Sequence, residues 1–235
     1  EQAVNEFLSR GAFPGLIKTG HTEALHQLYT EILCKDAVIA GGIRDRNTLQ
    51  RMALHLITNT GEPVTANKLR EKLKIKAVST AAEHMQCIET AGLVRFVSIL
   101  SDNPARQAVN PRKVYAVDTA LAAAVSTAET VDRNKLFETM LFNHLCRESR
   151  SVCYTNEQGG CDFIASDAEG GVRCIQACYD DDPDLMQTKT DGLLWALRQT
   201  GSSRGTIVTA DRNDRIDAEN FEIEVIDADT FLGGY

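Results

Sequence analysis

The chain has 235 residues, 43% of them hydrophobic and 25% charged, and a formal net charge of −8. No apolar run approaches the roughly 18 residues a membrane span requires, and EQAVNEFLSRG at the start has neither the basic nor the apolar region of a secretory signal. The charge is uneven: residues 1–61 are neutral, 62–118 carry +3 and 119–235 carry −11, so a nucleic acid is attracted by the middle and repelled by the last part.

Residues 1 to about 58 read as helices. HTEALHQLYTEILCKDAVIAG (21–41) spaces Leu25, Leu28, Ile32 and Leu33 along a stripe. NTLQRMALHLITNTG (47–61) repeats the pattern with Leu49, Met52, Leu56 and Ile57 and stops at Gly61. His21, His26 and His55 lack metal-ligand spacing. The expected organisation makes 1–61 a helical linker region, and the missing initiator methionine is what a fragment of a longer protein would show.

From residue 62 the pattern changes. Thr65 is placed to cap a short helix carrying Leu69 and Leu73, and the chain breaks at Lys74-Ile75-Lys76. Thr80 and Glu83 read as a capping box for a second helix with Ala81, Met85 and Ile88 inward. LVRFVSIL, the turn-rich SDNPARQAVNP and RKVYAVD then read as strand, loop and return strand. Helix, turn, helix and hairpin is the order of a winged helix-turn-helix over 62–118. The outward face of its second helix is expected to present Thr80, Glu83, His84 and Cys87, a poor surface for reading bases or holding phosphates. Basic residues sit instead on the first helix, the turn and the hairpin: Lys68, Arg70, Lys72, Lys74, Lys76, Arg106, Arg112 and Lys113. Such a run is either a solvated face or a surface for weak, sequence-nonspecific DNA contact.

Beyond a Thr/Ala-rich connection, DRNKLFETMLFNHLCRES (132–149) reads as a helix. SVCYTNE, CDFIASD and GVRCIQACY read as three consecutive strands, DPDLMQTKTDGLLWALRQT as a helix, and RGTIVTAD and FEIEVID as further strands. That order over 119–235 is the αβββαβ order of a restriction-endonuclease-like core. The predicted class is therefore α+β and multi-domain. The seven cysteines are odd in number and form no C-x-x-C pair, a pattern of reduced, buried thiols in a cytoplasmic protein. Cys174 and Cys178 share a strand face, where core packing outweighs metal binding.

Four signatures in order carry a resemblance: SRGAFPGL (9–16), the winged-helix segment (62–98), PRKVYAVDTAL (111–121), and LFETMLFNHL (136–145) leading to CDF (161–163). Together they resemble the C-terminal region of bacterial and archaeal AAA-type ATPases that end in a winged helix and a nuclease-like domain. PRKVYAVDTAL is similar to that family's PK-x-Y-x-x-D-x-GL box, with Ala120 in place of the glycine. The resemblance implies an ATPase core ahead of residue 1, with ATP and Mg²⁺ belonging to that core. The chain itself has no G-x-x-x-x-G-K-[ST] loop and is expected to need no cofactor.

In a PD-(D/E)XK nuclease, carboxylates hold Mg²⁺ through hard oxygens and a lysine stabilises the charge developing on the phosphate. By position the resemblance maps the helix acid to Glu138 and the first strand acid to Asp162, the two residues left to hold a metal. It maps the second strand acid to Gln176 and the lysine to Cys178. Gln loses an anionic ligand and Cys an ammonium, so the site reads as inactive. Two rescues exist on paper: Lys189 as a migrated lysine, and Asp180, Asp181, Asp182 or Asp184 as a replacement carboxylate. The expected function is a non-catalytic binding and positioning module, its partners the ATPase core of the same chain, DNA or another protein, with no membrane. The alternatives are a divalent-metal nuclease using Glu138, Asp162 and Lys189, or a pure protein-interaction module packing on the ATPase core.

Overall fold

The computed structural model describes residues 2–13, 22–35, 43, 45–101, 103, 110–126, 132–157, 159–180 and 182–233. It is an α+β chain with two separate sheets. The described residues group into two compact units, one formed by those of 7–97 and 109–132, the other by those of 1–6, 98–108 and 133–235. The described residues of 7–61, within the expected 1–61 helical linker region, group with those of 62–97.

Helix α1 (Gln2–Arg10), of which residues 7–10 belong to the first of these units, ends at Gly11, and α2 (Thr22–Glu31) follows in that unit. Helix α3 (Arg46–Thr58) starts at Asp45, whose carboxylate accepts from Thr48 N at 3.1 Å. Its Leu49, Met52, Ala53, Leu56 and Ile57 recur on one face and are all fully buried. Against that face pack α4 (Ala66–Leu73) and α5 (Val78–Thr90). Thr65 caps α4 by accepting from Lys68 N at 3.1 Å, and Lys74 closes it in the left-handed conformation, φ 57°.

Two expectations about α5 are corrected. The helix begins at Val78 behind Ala77, with no side-chain cap, so Thr80 and Glu83 lie inside it and form no capping box. Ile75, before the helix, and Ala81, inside it, are both buried. His84 points inward at 3% exposure, because it stands three residues after Ala81 and four before Ile88, on the buried stripe.

Strands β1 (Pro63–Val64), β2 (Val94–Val97) and β3 (Arg112–Ala116) form an antiparallel sheet in the order β1-β3-β2. Val94 opposes Ala116 and Phe96 opposes Val114. The two-residue β1 is too short to carry a periodicity of its own. Helix α6 (Thr119–Val125) follows and packs on α2 and α3.

The other unit is built on a six-stranded sheet. Helix α7 (Arg133–Glu148) leads into β4 (Ser151–Thr155), β5 (Cys161–Ser166) and β6 (Val172–Cys178). Helix α8 (Pro183–Thr200) crosses over to β7 (Arg204–Thr209), and β8 (Asp214–Ala218), β9 (Phe221–Asp227) and α9 (Ala228–Gly233) complete it. The order is β4-β5-β6-β7-β9-β8. The first three strands are antiparallel, whereas β6, β7 and β9 run parallel, so a crossover helix is required. Adjacent strand residues face opposite sides. Phe163 stacks on Phe142 of α7, while Ile164 joins the core beneath α8 with Leu193, Leu197 and Ile207. The helices therefore cover opposite faces. Cys174 and Cys178 lie buried in the α8-side core. Strand β8, with Asp214, Arg215 and Asp217 exposed and only Ile216 and Ala218 half-buried, escapes a reading based on apolar alternation.

Candidate functional site

Asp162 on β5 and Gln176 on β6 stand on the face covered by α8. Asp162 is 6% exposed and Gln176 is wholly buried. The Lys189 ammonium, from α8, meets Asp162 Oδ2 at 2.5 Å, and Ala177 N donates to the same oxygen at 3.1 Å. Lys189 therefore does reach back to Asp162, across 27 residues, and supplies its counter-charge in a largely dehydrated place.

Gln176 is tied on all sides. Its Oε1 accepts from Asp162 N at 3.1 Å, and its Nε2 donates to Gly160 O at 2.7 Å and to Lys189 O at 3.0 Å. Both amide protons are used on backbone carbonyls, one in the turn before β5 and one in α8. Gln176 thus works as a brace between turn, sheet and helix. A glutamate at this position would set a charged oxygen against those two carbonyls, so the amide fits this surrounding and a carboxylate does not.

The close approach needs glycine on both sides. Gly160 has φ +77°, and a Cβ on Gly192 would collide with the Gly160 carbonyl oxygen. Gly192→Ala should therefore lower stability by about 2 kcal/mol or more, reversing the roughly 1 kcal/mol that alanine ordinarily gains in a helix. Urea unfolding monitored by circular dichroism checks the sign, and a stabilised variant would show that the turn can move aside.

The other residues singled out in the sequence have different surroundings. Cys178 is 1% exposed and its thiol donates to Asp180 O at 3.4 Å, so the side chain is part of the core. Glu138 is half-buried on α7, the helix covering the opposite face from Asp162 and Gln176. Asp182 caps α8, accepting from Asp184 N at 2.8 Å and Leu185 N at 3.1 Å, and Asp184 lies in the first turn. Both carboxylates suit the positive end of the helix. Asp180 accepts a hydrogen bond from Asn134, and Asp181 lies outside the described residues. Among the described residues no group of three or more His, Cys, Asp or Glu side chains is arranged to hold a metal ion. Burial pushes the Cys153 thiol up to about 11 and raises Cys161 and Cys174 as well, which keeps these thiols protonated and unreactive.

The basic side chains differ in their surroundings. Arg70 pairs with Glu71 at 2.9 Å and donates to Asn67, and the Arg112 guanidinium lies 4.5 Å from the centroid of the Phe96 ring. Lys68, Lys72, Lys74 and Lys76 are exposed along α4 and the turn after it, and Lys113 is half-buried. Arg106 lies outside the described residues. On α5, Glu83 is exposed, Thr80 and Cys87 are half-buried, and His84 faces inward.

Two of the quoted sequence signatures meet. Asp118, at the end of PRKVYAVD, is 3% exposed and caps α6 by accepting from Leu121 N at 2.9 Å. Its second oxygen accepts from Ala12 N, inside SRGAFPGL, at 2.6 Å. Gly11 beside it has φ +67°, and a Cβ there would collide with the Asp118 carboxylate. Nothing in the local pattern of either segment announces that the two would touch.

Neither a search of curated proteins nor one of solved structures returned a match. A family model described as "Domain of unknown function (DUF8612)" matches residues 1–132, more than half of the chain and all of the described unit that carries Asp118 and the basic helix α4. The chain therefore belongs to the DUF8612 family.

Proposed function

We propose that the chain is a non-catalytic binding and positioning module, the C-terminal part of a cytoplasmic AAA-type ATPase. In this reading a winged helix touches DNA without reading its sequence, and a restriction-endonuclease-like domain has exchanged chemistry for structure. ATP and Mg²⁺ belong to the ATPase core, not to this chain.

The winged-helix assignment is supported by the order α3-β1-α4-α5-β2-β3 with sheet order β1-β3-β2. The nuclease-like assignment is supported by α7-β4-β5-β6-α8-β7, three antiparallel strands followed by a helical crossover to a parallel one. The observation that carries the non-catalytic reading is the brace at Gln176, whose oxygen and both amide protons are consumed by the backbone beside Asp162. A metal-binding acid at that place is replaced by a group holding the fold together. A Mg²⁺- or Mn²⁺-dependent nuclease is the competing reading, and the contact of Lys189 with Asp162 is what favours it. An ammonium seated on that carboxylate competes, however, with any cation the carboxylate would hold.

The test is incubation of the 235-residue chain with a DNA duplex and Mn²⁺ or Mg²⁺, followed on a denaturing gel. No strand breakage is expected, while duplex binding should weaken steeply with salt. Breakage that co-purifies with the chain and disappears in Glu138→Gln would overturn the non-catalytic reading.

A further inference from the structure

Between the C-terminal end of α3 and helix α4 lies a cavity of about 220 Å³ whose polar walls are His55, Asn59, Glu62, Lys68 and Lys72. Lys68 and Lys72 stand four residues apart, one above the other on α4. Both are exposed, and among the described residues neither ammonium enters an ion pair or a side-chain hydrogen bond. Arg70, on the same helix, is already paired with Glu71.

On the facing wall, Asn59 Nδ2 donates to His55 O at 2.7 Å and lies 2.9 Å from His55 Nδ1. An amide N–H directed at Nδ1 makes that nitrogen the acceptor and leaves the ring proton on Nε2, free of Asn59. Burial, with the neighbouring Lys72 charge second, holds the His55 imidazole below its ordinary range, so it is neutral near pH 7. Two ammonium groups against the single carboxylate of Glu62 leave the cleft with one net positive charge.

We propose that this cleft seats one backbone phosphate of a nucleic acid, with Lys68 and Lys72 converging on the same phosphate and His55 Nε2–H as a further donor. The proposal rests on the DNA-contact reading above and sharpens it: of the exposed basic residues, these two form the seat, while Lys74 and Lys76, beyond the end of α4, add only diffuse attraction. His55 and Asn59 enter as phosphate-site residues that carry no charge and so gave no signal in a count of basic side chains. Free inorganic phosphate offers the same chemistry from another source.

Fluorescence anisotropy with a labelled duplex, across a range of salt, compares the 235-residue chain with K68Q/K72Q and K74Q/K76Q. Circular dichroism confirms that these surface changes leave the helices intact. K68Q/K72Q should weaken duplex binding about ten-fold at moderate salt and reduce the slope of log K against log salt by about 0.9, the value for one phosphate. K74Q/K76Q should change affinity less than about three-fold, and leave the slope nearly unaltered. Inorganic phosphate should shift the His55 ring resonances saturably in the parent chain and not in K68Q/K72Q.

Duplex binding untouched by K68Q/K72Q would overturn the seat while leaving the DNA-contact reading intact. A slope reduced by about 1.8 would mean two separate phosphates and overturn the convergence. Saturable phosphate binding without duplex binding would overturn the nucleic-acid source and, with it, the DNA contact. If neither duplex nor phosphate binds, the cleft proposal and the DNA-contact reading fall together.

Discussion

Replacing Asp118 by alanine is expected to destabilise the unit that contains it by about 2 kcal/mol or more. One carboxylate serves two segments far apart in sequence, taking Leu121 N at the start of α6 and Ala12 N after α1. Its removal leaves the buried Leu121 N–H without its acceptor, at about 1–3 kcal/mol, and takes from Ala12, an exposed residue, the contact that ties its backbone to α6. Asp118→Asn should recover only part of the loss, because an amide can turn its oxygen to one N–H while its NH₂ faces the other. Gly11→Ala should be damaging for two separate reasons, the left-handed φ of +67° and the collision with the same carboxylate. Combining Gly11→Ala with Asp118→Ala should cost less than the sum, since the second change removes the obstacle met by the first. Guanidinium unfolding followed by far-UV circular dichroism measures all three. A loss below about 1 kcal/mol in Asp118→Ala would mean that water or a local shift satisfies both N–H groups.

The second large effect is at Lys189. Lys189→Met keeps the length and apolar stem of the side chain but removes the ammonium from beside the buried Asp162 carboxylate, at an expected cost of about 3–5 kcal/mol. The side chains of Asp162 and Lys189 are 9% and 19% exposed, so little of the interaction is screened by solvent. Asp162→Asn alone removes the carboxylate charge from beside the Lys189 ammonium and should also be costly. The double variant Asp162→Asn/Lys189→Met contains neither charge, keeps an oxygen for Ala177 N, and should recover most of the loss, giving a coupling of about 2 kcal/mol or more. Urea denaturation at low and high salt is the measurement, with the coupling expected to persist at high salt as for a buried pair. A coupling near zero would show that Lys189 does not hold Asp162 in place. This cycle is independent of the cleavage assay, because it reads stability whether or not the chain has chemistry.

The elements whose signal is local were legible before any coordinates. Leu49, Met52, Leu56 and Ile57 recur at helical spacing, and α3 buries that stripe. Thr65 sits before the first turn of α4 and caps it, and Gly92 follows the last turn of α5. The runs SVCYT, CDFIAS and VRCIQAC, separated by glycine-bearing turns, became β4, β5 and β6 in antiparallel sequence. Where the local signal was weak, the reading failed. Thr80 and Glu83 have the spacing of a capping box but lie within a helix already begun, and β8 carries almost no apolar side chains to alternate.

What the sequence by itself determined was therefore the set of periodic elements and the suspicion attached to Glu138, Asp162, Gln176, Cys178 and Lys189. Only the tertiary structure decided what those residues do. It set Lys189 on Asp162, spread the Gln176 amide over Gly160, Asp162 and Lys189, and placed Glu138 on the helix of the other sheet face. It also brought Ala12 to Asp118 and His55 to the wall opposite Lys68 and Lys72. The physical reason is one of range. Burial of an apolar stripe repeats every few residues and leaves a trace in the sequence, whereas a hydrogen bond made once, between segments that meet only after the sheet and helices have packed, leaves none.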